Sequence, residues 1–173
     1  MKRKLSVLYS WFVRTVTAWL PDIPVFMRLR GFLYSMMMKR CGRNFQVAST
    51  VILNPLSGLS IGHNVYFAPR ATIIGTDIEI GDEVLIGPGT CISGGNHTFL
   101  KSSYRYGAHI PQHVNIKSGT WIAANCSVTA GSVLPERSVL AAGAVLTKVF
   151  TQTDSLYAGV PAVCIKKLRD HAE

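Results

Sequence analysis

Between about residue 45 and residue 145 the aliphatic positions recur every six residues, a period that neither the 3.6 of a helix nor the 2 of a strand produces. In the later block the six-residue units begin at Ile116, Ile122, Val128, Leu134 and Leu140, and their fifth positions are Thr120, Cys126, Ser132, Ser138 and Ala144. In the earlier block Ile61, Phe67 and Ile73 begin units, the register slips by one residue around Thr76 to Glu79, and Ile80, Ile86 and Ile92 resume it. Val65, Ala71, Val84 and Thr90 keep the fifth position small. An aliphatic first and a small fifth position describe a three-sided coil: one side chain points into the prism on each flat side, and only a small one fits near each corner. Coils of this kind stack, so stability comes from contacts between neighbours along a continuous aliphatic column. The pattern predicts a mainly β parallel solenoid over 45–161, an extended loop at 98–115 where the period fails, and a short C-terminal helix or tail over 162–173.

The first 44 residues follow another rule. On a helical wheel Leu5, Leu8, Tyr9, Phe12, Val13, Val16, Trp19 and Leu20 form one apolar stripe, with Ser6, Ser10, Arg14 and Thr17 opposite. Val25, Leu29, Phe32, Leu33, Met36 and Met37 make a second stripe, and Gly42 stands where a helix would stop. Two amphipathic helices are therefore expected. A bilayer span would need about 20 apolar residues, and Arg14, Pro21 and Pro24 interrupt the run. A cleaved leader fits poorly, because Arg14 falls where its apolar stretch should continue. The second stripe is expected to be buried against the open end of the solenoid or a neighbouring subunit. For residues 2–20, Lys2, Arg3, Lys4 and two tryptophans point to an anionic membrane surface, with packing against protein as the alternative. The expected location is cytoplasmic, peripheral on the inner face of the membrane.

Charge sharpens this division. The net charge is +9, but residues 1–43 hold nine basic side chains against Asp22 alone, which leaves only +1 for the rest. A basicity confined to one end does not describe a nucleic-acid groove, and no nucleic acid is expected as a partner. Cys41, Cys91, Cys126 and Cys164 are far apart, form no metal-ligand spacing, and are expected to be buried, reduced thiols.

His97 stands at the root of the loop, where the coil could hold a side chain over a cleft. Loops of this length in a tight solenoid usually carry function. A neutral imidazole, with an ordinary pKa near 6.5, is suited to act as a general base near neutral pH. Tyr104, Arg105 and Tyr106, with His109 and His113, could stack on or hydrogen-bond a sugar.

The runs Ile80 to Pro88, Trp121 to Asn125, Leu140 to Lys148 and Gly159 to Ala162, together with Asn96-His97, resemble the hexapeptide-repeat acyltransferases, and most closely the branch that O-acetylates sugars and polysaccharides. The resemblance spans roughly residues 45–168. It implies a left-handed parallel β-helix, a homotrimer with active sites between adjacent prisms, and acetyl-CoA as acyl donor without a metal. It further implies a saccharide acceptor, His97 as general base with Asn96 beside it, and an oxyanion donor in the backbone at Ala123-Ala124. The coenzyme would lie along Trp121, Ala123, Ala124 and Ala142, with Thr147 and Lys148 at its middle and Lys166 near the phosphates. Val163 departs from the family, which often has a basic residue there; Lys166, Lys167 or Arg169 would take over that role, or else form a solvated helix face. Arg70, with Ala68, stands where small-sugar enzymes often carry asparagines, so Arg70 is a candidate acceptor contact that argues for a polysaccharide or lipid-linked saccharide precursor. Two other readings stay open: a zinc enzyme resembling γ-type carbonic anhydrases, for which His63, His97, His109 and His113 supply the number but not the spacing, and a non-enzymatic scaffold.

Overall fold

The computed structural model describes residues 2–168. Its body is a left-handed parallel β-helix of about six coils. Each coil lays one short strand on each of three sides. The first side stacks Arg40–Cys41, Leu59–Ile61, Ile78–Ile80, Val114–Ile116 and Val133–Leu134. The second stacks Gln46–Val47, Tyr66–Phe67, Leu85–Ile86, Trp121–Ile122, Val139–Leu140 and Ser155–Ala158. The third stacks Ile52–Asn54, Thr72–Ile74, Cys91–Ser93, Ser127–Val128 and Val145–Leu146.

The six-residue pattern maps directly onto this prism. Ile61, Ile80, Ile116 and Leu134 form one inward column, Val47, Phe67, Ile86, Ile122 and Leu140 a second, and Leu53, Ile73, Ile92, Val128 and Leu146 a third, all buried. Each such side chain contributes about 1.5–3 kcal/mol on leaving water. The small fifth positions are buried at the corners, where Thr90, Ser132 and Cys126 turn their polar atoms onto backbone carbonyls of the adjacent coil. Of the four cysteines only Cys126 is buried; Cys91 is exposed because it precedes the inward Ile92, Cys164 is exposed on the final edge strand, and Cys41 is half-buried. Burial lifts the Cys41 thiol to about 11.

A stack of coils needs covers at both ends. At the C-terminal end Tyr157 fills the second column, its ring 4.4 Å from that of Phe150. The helix expected over 162–173 is absent from the described part: Val163–Lys167 is a strand, antiparallel to Ser155–Ala158. The edge of the last coil offers it a row of unpaired backbone groups, which a strand fills and a helix does not. Residues 169–173, including Arg169, lie outside the described residues. Just before Ser155–Ala158, Arg137 grips Asp154 with Nε and Nη2 at 2.5 and 2.9 Å and holds that carboxyl down at about 2.

At the N-terminal end two helices, α1 (Lys2–Thr17) and α2 (Pro24–Ser35), lie over the first coil. α2 is turned opposite to expectation, and in α1 too the apolar stripe is not the face that meets the protein. α1 buries Ser6, Ser10, Val13 and Thr17, with Ser10 Oγ donating to the Leu53 carbonyl at 2.6 Å. α2 buries Met27, Arg30, Gly31 and Tyr34, so its apolar stripe of Val25, Leu29, Phe32 and Met36 is left exposed. The reason is Gly31: a Cβ there would stand 1.9 Å from the Phe45 carbonyl oxygen, so this is the only face of the helix that lets it approach so closely. Burial raises Tyr34 to about 12, against the opposing pull of Arg14 and Arg30.

Arg30 is the clasp. It is 1% exposed and donates to Asp22 at 2.8 Å, to the Val47 carbonyl at 3.2 Å and to the carbonyls of Thr17 and Leu20. Asp22 in turn accepts from the backbone N–H and hydroxyl of Ser49. One guanidinium thus joins the end of α1, the connecting turn, α2 and the first coil.

Candidate active site

The coil opens after Ile92. Gly94 still bonds the Ile74 carbonyl at 2.8 Å, but the next three residues leave the prism. Gly95–His97 and His109–Pro111 form an antiparallel hairpin with His97 opposite His109. The excursion therefore runs from Gly95 to His113, earlier at both ends than the expected 98–115. Val114 is already back in the first side, paired with Ile78 and fully buried, and six-residue counting from Ile116 misses it because that strand is three residues long.

His97 is exposed on this hairpin, its ring 5.6 Å from that of His109 at an interplanar angle of 79°. Gly95 makes that arrangement possible, since a Cβ there would lie 2.2 Å from His109 Nε2. Asn96 donates through Nδ2 to Gln112 Oε1 at 2.9 Å, tying the root of the hairpin. The tip is closed by reciprocal Leu100 and Ser103 backbone bonds and by Phe99 packing on Tyr104 at 5.1 Å. Asn96, His97, Tyr104 and Arg105 line one open depression; Tyr106 is exposed nearby in sequence but does not line it.

The other candidates divide between two sides of the prism. Thr147 and Lys148 follow the third side at the corner that leads to the first, the same corner from which the hairpin springs. Gly131, in the coil between them, abuts Gln112 of the hairpin root, and the Lys148 carbonyl accepts from Val133. The Lys148 ammonium stands over the Phe150 ring, 5.2 Å from its centre. By contrast, Trp121 points outward from the second side, 49% exposed, and Ala123, Ala124 and Ala142 turn the corner that ends that side. Arg70 occupies the equivalent corner of an earlier coil, with φ of 64°, and so is not beside Tyr104 and Arg105. Lys166 is on the final edge strand, opposite Leu156 on the same second side. The two groups therefore lie on different sides of the prism.

Four further residues share a row with Trp121. The ladder places Tyr66, Leu85, Trp121, Val139 and Leu156 in one outward row. Their signal in the sequence is the position just before each inward residue of the second side, apolar here and mostly polar on the first side. The corner beside them is open as well: a Cβ on Gly143 would meet nothing within 4 Å. Of the two amides there, Ala123 N–H is spent on the Leu140 carbonyl at 2.9 Å, whereas Ala124 N–H donates to no group among the described residues. An apolar wall, small corner residues and an unused amide suit a thin acyl-bearing ligand. Of the other histidines, His113 pairs with Asp77 at 3.2 Å and His63 accepts from the Arg43 N–H; no three His, Cys, Asp or Glu side chains of one chain come together among the described residues.

No family profile matches the sequence. Pairwise, the chain is 28% identical over 142 residues to a galactoside O-acetyltransferase of Escherichia coli, covering 82% of this chain and 70% of that one. Across the curated relatives it matches, it spans 53% to 70% of their lengths. A galactoside acetyltransferase solved with coenzyme A superposes with a TM-score of 0.84 at 25% identity, over 96% of this chain and 82% of the other. In sequence and in fold the chain is thus similar to hexapeptide-repeat acetyltransferases. A hexapeptide-repeat acetyltransferase from Vibrio cholerae, solved with acetyl coenzyme A, has the same fold, with a TM-score of 0.82 at 22% identity over 96% and 89% of the two chains. The superposition with these acyltransferases includes the two N-terminal helices, since only 4% of the present chain falls outside it.

Proposed function

We propose that this protein is an acetyl-CoA-dependent O-acetyltransferase acting on a saccharide hydroxyl, as a homotrimer whose active site lies between adjacent prisms. The observation that carries this reading is the partition of the site: the hairpin with His97, and the Thr147-Lys148 corner, lie on one side of the prism, while the Trp121 row and the Ala124-Ala142 corner lie on another. A second copy brought alongside supplies the missing half to each, and rotation closes such head-to-tail contacts into a ring.

In that crevice acetyl-CoA supplies a thioester acyl group. Tyr66, Leu85 and Trp121 form the apolar wall, Ala123, Ala124 and Ala142 leave room at the corner, and Thr147, Lys148 and Lys166 face its polar and anionic parts. His97 accepts the proton of the acceptor hydroxyl as that oxygen attacks, and returns it to the leaving sulfur. His109 backs its ring, and Asn96, held by Gln112, fixes the hairpin. The Ala124 N–H is free to stabilise the oxyanion of the tetrahedral intermediate. No covalent enzyme intermediate is needed, in keeping with thiols that burial keeps protonated at Cys41 and Cys126.

Tyr104 and Arg105, open to solvent beside His97, are the acceptor contacts, with Tyr106 and Arg70 at the margins. A depression this open suits a polysaccharide or a lipid-linked precursor better than an enclosed small sugar. The test is mass-spectrometric. Incubated with acetyl-CoA and a panel of saccharides, the protein transfers one acetyl group to an O-linked, alkali-labile position. Transfer only to amino sugars, as an alkali-stable amide, contradicts the reading.

A further inference from the structure

α1 and α2 present their apolar faces to solvent while spending their polar faces on the protein. Ser6, Ser10, Thr17 and Arg30 are the buried, hydrogen-bonded side; Leu5, Leu8, Phe12, Val16 and Trp19 of α1 and its exit, and Val25, Leu29, Phe32 and Met36 of α2, are each more than 40% exposed. In a helix that merely covers a solenoid end the arrangement would be the reverse. The two stripes belong to one surface, because the helices pack on each other, with Tyr9 Oη donating to the Leu33 carbonyl at 3.0 Å. Continuous apolar surface on this scale marks a place where something docks.

We infer that the α1–α2 end is a membrane-binding platform that lies in the plane of an anionic bilayer. The charge around it selects that occupant. Lys2, Arg3 and Lys4 begin α1 and are exposed; the sole acid of the first 43 residues, Asp22, is already engaged by Arg30 and Ser49. A second copy docked end to end would set cation against cation with no carboxylate between them. An anionic headgroup layer answers both features, with Trp11, Phe12, Trp19 and Phe32 entering the apolar boundary beneath it. No helix among the described residues is long and apolar enough to cross a membrane, so the contact is in-plane. The platform exists in a single chain and does not depend on the acyl-transfer reading. Where the acceptor is lipid-linked, as proposed above, it also brings the hairpin to the surface that carries the acceptor.

The full-length protein is floated with vesicles of phosphatidylcholine alone and of phosphatidylcholine with phosphatidylglycerol. Binding to the anionic vesicles is expected to exceed binding to the neutral ones by at least about tenfold at low salt. The double variant Leu29→Glu/Phe32→Glu is expected to lose about tenfold or more of that binding, with its melting temperature and its acetyl transfer to a soluble saccharide unchanged, since both side chains face solvent. Lys2→Gln/Arg3→Gln/Lys4→Gln should lose the preference for anionic vesicles. The proposal falls if the wild type does not float, or if the double variant floats as well as the wild type. It also falls if the wild type sediments as a larger self-assembly that the double variant dissolves, because a second copy would then cover the face.

Discussion

His97→Ala should lower turnover by about 10² to 10⁴ fold while leaving the trimer and the affinity for acetyl-CoA unchanged. The side chain is exposed on a hairpin whose own backbone bonds and Asn96–Gln112 contact do not involve its ring, so its removal does not disturb the fold. What is lost is the acceptor of the hydroxyl proton. The effect should therefore appear in kcat, with little change in KM for either substrate, and His97→Gln should behave like the alanine variant despite its similar size. Steady-state kinetics and calorimetric binding of acetyl-CoA check this together. A variant retaining more than about a tenth of wild-type kcat would remove His97 from the chemistry.

Arg30→Ala should destabilise the protein by about 3 kcal/mol, the lower end of what breaking a buried ion pair costs, because Asp22 keeps part of its hydration. The carbonyls of Thr17, Leu20 and Val47 and the Asp22 carboxylate lose their common donor, and none of the residues around them can replace it. For a chain of this size the shift in melting temperature is about 6–12 °C. Arg30→Lys should recover only a fraction, since one ammonium cannot reach carbonyls on three segments at once. In a stack of coils the loss begins locally, so proteolysis of α1 and α2 should precede the main transition. A shift below about 3 °C would mean that the clasp is not what holds the helical end in place.

The β-helix was legible because its signal is periodic and each position has a single steric answer: aliphatic inside, small at the corner. Both helices were also legible, but the orientation of α2 was not. A hydrophobic stripe says that an apolar face exists and says nothing of which face the body takes. Here Gly31 and Arg30, one by its lack of a side chain and the other by an unusual set of hydrogen bonds, decided the contact against the apolar stripe. Arg30 was only one of nine basic side chains in the first 43 residues, because its partners are carbonyls of residues 17, 20 and 47, which no spacing rule reveals. The C-terminal strand was missed for a related reason: five residues at an edge take their conformation from the neighbour that needs pairing. In the site, Trp121 was found by resemblance, whereas Tyr66 and Leu85 required the ladder that sets them beside it. The hairpin escaped the six-residue count because pairing of Gly95–His97 with His109–Pro111 is non-local, and the division of the site between two sides of the prism becomes visible only once the sides themselves are assigned.

That division is the central claim, and subunit complementation tests it most directly. His97→Ala removes the hairpin half of a site and Trp121→Glu the wall half, each in a different protomer's contribution. When the two variants are co-expressed with distinguishable tags and the mixed trimers are isolated, each ring of two of one variant and one of the other holds a single junction with both halves intact, about a third of its sites. The account predicts that acetyl transfer returns to about that fraction of the wild-type rate. Mixed trimers no more active than their inactive parents would contradict it, placing His97 and Trp121 in the same chain's site or in no common site at all.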